Sequence, residues 1–415
     1  VTPPAVSAAA DSTTADSRIS IITVSLCYLI AVFEGVDLQA AGVAAPKLAP
    51  AFHMLPNQLG WFFSASTFGL LIGAAVGGRL SDRFGRKAVL IAAVAVFGLM
   101  SIATGLAPDV KALLIARFLT GLGIGGALPN LVALVSENTP AALKNTSVGL
   151  LYAGLPSGGA LASLVAALAK AQSWSVVFFV GGIAPLIAIP LLVWLLPESR
   201  QLQAAKRSIQ PGQQRGFGFA LFGDGRAACT LPLWFSFFLA LLTMYLLLNW
   251  LPTLLVSRGM SKADASLVQL SFNLLGALGS ICTGLLMDRI SLRWVVIAAF
   301  VCAAISLLLL ANVSPELTAA LAIGGLVGIT MSATQALLYS LAPGVYRTEV
   351  RGTGVGSAVA VGRIGSAVGP LLAGALLTSG RTPQEVLLML VPVMLVAGTA
   401  VVFLVVMMQR RALAR

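Results

Sequence analysis

Apolar runs long enough to cross a bilayer as helices of about 20 residues recur along the chain, near 20–45, 58–79, 87–107, 110–136, 145–169 and 174–196. A second set follows near 231–256, 263–286, 292–312, 316–342, 353–378 and 386–408, so the pattern predicts twelve transmembrane helices. Between the sets lies the longest polar stretch, 197–229, which reads as a cytoplasmic linker joining an N-terminal six-helix bundle at 19–196 to a C-terminal one at 230–408. Residues 1–18, rich in Ala, Ser, Thr and Pro, lack the basic start and short apolar core of a signal peptide. They are expected to form a disordered cytoplasmic tail, with 409–415 as a second, shorter one. The chain opens on Val1 rather than Met, as an edited or truncated amino terminus would.

Two short matches relate the sets: "GRLSDR" at 78–83 recurs as "GLLMDR" at 284–289, and "KNTSVG" at 144–149 corresponds to "RGTGVG" at 351–356. The offset is nearly constant and close to half the chain, which argues for parallel repeats with a site at the midplane between them. The expected fold class is an all-α membrane protein, its twelve transmembrane helices arranged as two pseudo-symmetric six-helix bundles.

Composition rules out a soluble enzyme, because 58% of residues are hydrophobic, only 10% are charged and the mean hydropathy is +0.96. A net charge of +12 could suggest a nucleic-acid partner, but the basic residues sit in short clusters between apolar runs. No nucleic acid is therefore expected, and the lipid bilayer is the surrounding medium. With both termini cytoplasmic, Lys47, Lys111, Lys170, Arg258, Lys262 and Arg381 fall outside, Arg117 and Arg363 lie within spans, and the other Lys and Arg face the cytoplasm. The 4 cysteines have no metal-like or redox-like spacing and His53 is the single histidine, so neither a metal nor another cofactor is expected. The lack of a Walker-type loop argues against ATP-driven transport.

The informative residues are charges within the spans. Glu34 and Asp37, in "AVFEGVDLQAAG", are three apart and so share a broad helix face, expected to point to the cavity between the halves. An unpaired carboxylate at the bilayer centre costs roughly 2.5–3.5 kcal/mol, and protonation removes most of that, which suits a proton-coupling group. The competing reading is a permanent structural pair with Arg117 or Arg363. Arg363, in "VGRIGSAVGP", is the candidate anion site, since guanidinium binds carboxylate bidentately. Its counterpart in the first repeat is Pro156. Arg117 is expected to serve gating or coupling. Gln39, Asn130, Tyr152, Asn249, Trp250, Asn273, Gln335 and Tyr339 are candidates for lining a substrate cavity, or alternatively for interhelical bonds. The glycines of "GLPSGGALAS" read as close helix packing.

"GGRLSDRFGRKAVL" at 77–90 and "ARFLTGLGIGGALPN" at 116–130 resemble signature segments of the major facilitator superfamily. Within it, "EGVDLQAAG" and "NWLPTLL" resemble the aromatic acid:proton symporters, and "DLQAAG" with "ALPNLVALVSE" looks most like the branch importing 3-(3-hydroxyphenyl)propionate. The family motif has Asp where this chain has Glu34. The resemblance implies a non-enzymatic carrier of the bacterial inner membrane that imports an aromatic carboxylate with protons, as a monomer containing its own pathway. Asp82, Arg83 and Arg86, with Glu137 as a partner, are placed to tie the cytoplasmic helix ends together, and Asp288 and Arg289 to do so in the second half. A sugar acid or another small organic anion is the alternative substrate, and a proton-driven drug exporter the further alternative.

Overall fold

The computed structural model describes residues 5–140, 144–168, 174–198, 221–222, 226–346 and 351–413. They form α1 (Ala5–Ala51), α2 (Pro56–Phe84), α3 (Arg86–Gly105), α4 (Val110–Asn138), α5 (Lys144–Leu168) and α6 (Val176–Leu195). After residues 199–220 come α7 (Ala227–Val256), α8 (Lys262–Arg289), α9 (Leu292–Ala311), α10 (Leu317–Val345), α11 (Arg351–Thr378) and α12 (Pro383–Leu413). Twelve of these segments are long and apolar enough to span a membrane, and each expected apolar run falls on one of them. Where the sequence reading expects disorder over 1–18, α1 already runs as helix from Ala5. An Ala-rich segment has high helix propensity, and extending an existing helix needs no new nucleus. At the other end α12 continues to Leu413, past the expected boundary at 408.

The helix ends on the face opposite the termini are set by short polar turns. Asp109 accepts a hydrogen bond from the Ala112 amide at 2.8 Å, and Ser261 accepts one from Asp264 at 3.1 Å. Thr382 and Glu385 cap one another at the start of α12. On the face of the termini, α2 and α3 are separated by Gly85 alone, at φ +103, a conformation that L side chains rarely adopt. A Cβ there would also strike the Glu198 carboxylate, which accepts from the amides of Arg86 and Lys87.

In hydrocarbon there is no hydrophobic drive between helices, so association depends on how closely backbones approach. Gly121 of α4 sits where a Cβ would lie 1.8 Å from the Ser66 carbonyl oxygen of α2, and Gly158 of α5 where one would lie 2.0 Å from that of Val32 in α1. The second half repeats the design, with α8 on α10 and α7 on α11 as α2 is on α4 and α1 on α5. Substitution of Gly121 by Ala should therefore force the α2 and α4 backbones apart and cost about 1–3 kcal/mol, read as a lower melting temperature of the detergent-purified chain.

The halves meet through α1 with α7, α2 with α11 and α5 with α8. Among the described residues, the close contacts between them lie toward the face opposite the termini. The Ser64 hydroxyl donates to the Ala367 carbonyl at 2.7 Å, and the Phe63 and Trp250 rings meet edge to face at 5.2 Å. Gly60 packs on the Pro370 carbonyl, and Gly42 on the α7 backbone at Leu248 and Asn249.

Candidate functional site at the midplane

Asp37 and Glu34 are both fully buried, yet they have different surroundings. Asp37 turns into the first half. Its Oδ2 pairs with the Arg117 guanidinium of α4 at 2.9 Å, its backbone carbonyl accepts from the same arginine at 3.3 Å, and its Oδ1 accepts from the Ser101 hydroxyl of α3 at 2.6 Å. Phe178 of α6 closes the pocket, its ring centroid 5.7 Å from the Arg117 guanidinium carbon. Arg117 is itself only 1% exposed, so the two charges neutralise each other inside a single bundle.

Glu34 turns towards the other half, and neither of its carboxyl oxygens has a hydrogen-bond partner. The charge it faces is Arg363 of α11, with which it interacts electrostatically without forming an ion pair. Arg363 instead donates to the Tyr245 hydroxyl of α7 at 2.5 Å, and its guanidinium carbon lies 5.7 Å from the centroid of that ring. Tyr152 of α5 and Tyr339 of α10 complete the surround and also interact electrostatically with Arg363. Three of the chain's 5 tyrosines thus gather around one arginine, contributed by three helices. Tyr152 is 46% exposed and Tyr339 36%, so neither phenol is sealed within a helix bundle. Tyr339 is steadied by an edge-to-face contact with Phe237 at 5.2 Å. One turn before it, Gln335 holds a buried side-chain amide nitrogen with no hydrogen-bond partner.

The other expected lining residues are placed elsewhere. Gln39 and Asn273 exchange two hydrogen bonds across the halves, at 2.8 and 2.7 Å, and Gln269 adds a longer one at 3.4 Å. The Trp250 indole donates to the Pro370 carbonyl within the closed end. Asn130 and Asn249 each bond back to their own helix, at Gly126 and Tyr245. At the face of the termini, Arg86 pairs with Glu137, the partner expected for the α2 to α3 loop. Arg83 lies over the Phe84 ring, and Arg289 is exposed at the end of α8. The side chains of Asp82 and Asp288 lie outside the described residues.

The sequence reading passed over Tyr245 and Ser101. Tyr245 had one signal: it stands in mid-span, far from the interfacial belts where membrane tyrosines concentrate, and one turn before Asn249. Ser101 had none, since a serine in an apolar helix most often bonds its own backbone.

Two six-helix bundles related by a pseudo-two-fold, closed on one face and enclosing midplane charges, define a secondary carrier. The Major Facilitator Superfamily pattern matches residues 27–263 and 233–414, and the chain belongs to that superfamily. It is 44% identical over 393 residues to the 3-(3-hydroxy-phenyl)propionate transporter of Escherichia coli, covering 94% of each chain. It is 34% identical to the gallate transporter of Pseudomonas putida, over 86% of this chain and 85% of that one. With the 4-hydroxybenzoate transporter PcaK of Pseudomonas aeruginosa it shares 33% identity, over 89% of this chain and 88% of the relative. Among solved structures, a nucleoside transporter superposes with a TM-score of 0.76 at 14% identity, over 92% of this chain and 98% of that one. A D-xylose–proton symporter does so with a TM-score of 0.71 at 17% identity, over 90% and 96%. These two bear on the fold alone.

Proposed function

We propose that the chain is a proton-coupled importer of an aromatic carboxylate of the 3-(3-hydroxyphenyl)propionate type. The observation that carries this reading is Arg363, a midplane cation surrounded by Tyr152, Tyr245 and Tyr339 and facing Glu34 from the other half. Guanidinium takes a carboxylate, phenol rings stack on an aromatic ring, and the free amide of Gln335 suits a ring hydroxyl. A sugar acid would use the arginine but gain little from three phenols. The three relatives described above, which share the chain's length, are named for hydroxylated aromatic acids, which supports the same substrate class.

Glu34 is the group that carries the proton in the conformation described here. A buried carboxyl whose oxygens accept no hydrogen bond is tolerated in hydrocarbon when neutral, whereas the Asp37 carboxyl already has Arg117 and Ser101 as partners. In the cycle, Glu34 takes a proton from outside, the anion docks on Arg363, and bundles 19–196 and 230–408 rock about the site. Anion and proton then leave on the opposite side.

The charge asymmetry of the loops supports a bacterial inner-membrane protein with both termini cytoplasmic, joined across the middle by the linker at 197–229. In that orientation the closed end is external and the conformation is inward-facing. Each chain encloses its own path, so the monomer is the working unit. The test is uptake of labelled 3-(3-hydroxyphenyl)propionate into proteoliposomes. An inward proton gradient should stimulate it several-fold, and uptake indifferent to the gradient, or absent from folded protein, would sink the reading.

A further inference from the structure

Arg363 is bonded to one acceptor and faces a second of unequal strength. One is the neutral hydroxyl of Tyr245, from the neighbouring helix of its own half, and the other is the carboxyl of Glu34, from the opposite half. A guanidinium bond to a carboxylate is roughly twice as strong as one to a neutral acceptor, and Glu34 is tethered nearby. An ionised Glu34 would therefore capture Arg363 and occupy the donors that a substrate carboxylate needs. The conformation described here has Arg363 on Tyr245 instead.

We propose that Tyr245 is a positioning residue for substrate capture: its hydroxyl gives Arg363 a resting place away from Glu34, from which an incoming carboxylate can displace it. This deepens the proposed function and rests on it for the identity of the displacing anion. A phenol suits the role because it is a strong enough acceptor to hold the guanidinium in a dry site, yet loses to any carboxylate that arrives. The geometry that fixes it is independent of substrate. Helices α7 and α11 meet through Gly365, which packs on the Phe238 carbonyl, and Gly369, which packs on that of Leu242, so the backbones bearing Tyr245 and Arg363 cannot drift apart. The alternation also explains how an empty carrier could return: Glu34, once deprotonated, takes Arg363 across the halves and is no longer an unpaired charge in the membrane.

The groups facing these two are few. Glu34 has Cys27 on its own helix, Tyr152 from α5 and Arg363 from α11. Arg363 has Tyr245 from α7, Tyr339 from α10 and Tyr152 from α5. Thiol and phenols are uncharged at neutral pH, so among the described residues Glu34 is the acid that competes with Tyr245 for the guanidinium.

The experiment compares the full chain with Tyr245→Phe, Glu34→Gln and the double variant, all checked for monodisperse folding. Phenylglyoxal labelling of Arg363 is read by peptide mass spectrometry at mildly alkaline pH, where a carboxylate-bound arginine reacts slowly. Tyr245→Phe keeps the ring and removes only the hydroxyl, and it should slow labelling about tenfold, the worth of one hydrogen bond of ~1.4 kcal/mol. The double variant should label at the rate of Glu34→Gln. Affinity for 3-(3-hydroxyphenyl)propionate should follow, about tenfold weaker in Tyr245→Phe and unaffected by the same change in the Glu34→Gln background. Labelling in Tyr245→Phe that is no slower than in the unaltered chain, or slowed equally in both backgrounds, would overturn the assignment. If labelling follows the expected pattern while no form binds the aromatic acid, the substrate reading fails and the role of Tyr245 stands.

Discussion

A Glu34→Gln carrier should still exchange substrate across the membrane but lose its ability to accumulate it on a pH gradient. Glutamine is close in shape to a protonated glutamate and cannot release a proton, so the variant mimics one loaded state permanently. In the structure both carboxyl oxygens of Glu34 are buried without a hydrogen-bond partner, and Arg363 bonds Tyr245 rather than Glu34. The neutral amide is therefore compatible with the conformation, and leaves the proposed substrate site around Arg363 unchanged. Coupling requires that proton and anion each favour the other's binding, and a group that cannot titrate contributes nothing to that linkage. Two measurements on the same proteoliposomes separate the effects: counterflow of labelled substrate at equal pH, expected within a few-fold of the unaltered chain, and gradient-driven uptake, expected at background. Undiminished accumulation would remove Glu34 from proton coupling.

Asp37→Asn should behave differently, and mainly as a loss of stability. Arg117 would be left 1% exposed with its charge partner gone, and breaking a buried pair by removing one member costs about 3–5 kcal/mol. The amide could keep the Ser101 hydrogen bond through its oxygen, but it presents no charge to the guanidinium. Thermal unfolding in detergent should show a drop of several degrees and a lower yield of monodisperse protein. The companion variant removes both charges: Asp37→Asn with Arg117→Met should recover most of the loss, because a fully apolar replacement of a buried pair is often neutral or stabilising. Asp37→Asn that melts like the unaltered chain but no longer accumulates substrate would mean that the pair opens during the cycle, making Asp37 the titrating acid.

Much of this architecture follows from sequence alone, and the reason is the bilayer. Backbone groups in hydrocarbon must bond within their own segment, so a long apolar run has little choice but to be a helix, and run length and spacing give the span count directly. The weak repeats at 78–83 and 284–289 carry the two-half arrangement, and loop charge carries the expected orientation. Intramembrane charge is costly enough that Glu34, Asp37, Arg117 and Arg363 stand out without any structure.

Pairing among those four charges was decided by tertiary structure. Residues three apart on an α-helix diverge by roughly 60° around the axis. On a helix exposed to lipid that difference would matter little, but α1 is wedged between its own bundle and the opposite half. The angle is enough to send Asp37 to Arg117 inside one bundle and Glu34 towards Arg363 in the other, so a shared face became two environments. Tyr152, Tyr245 and Tyr339 likewise lie far apart along the chain, and although the sequence marks Tyr152 and Tyr339 as cavity candidates, nothing in their own helices points to Arg363 as a shared partner. Only the tertiary arrangement, with α7 and α10 packed on α11 and α5 brought over from the other half, directs their phenols to one guanidinium. Periodicity and hydropathy report what each helix buries, whereas the neighbour against which it is buried depends on contacts between segments remote in sequence.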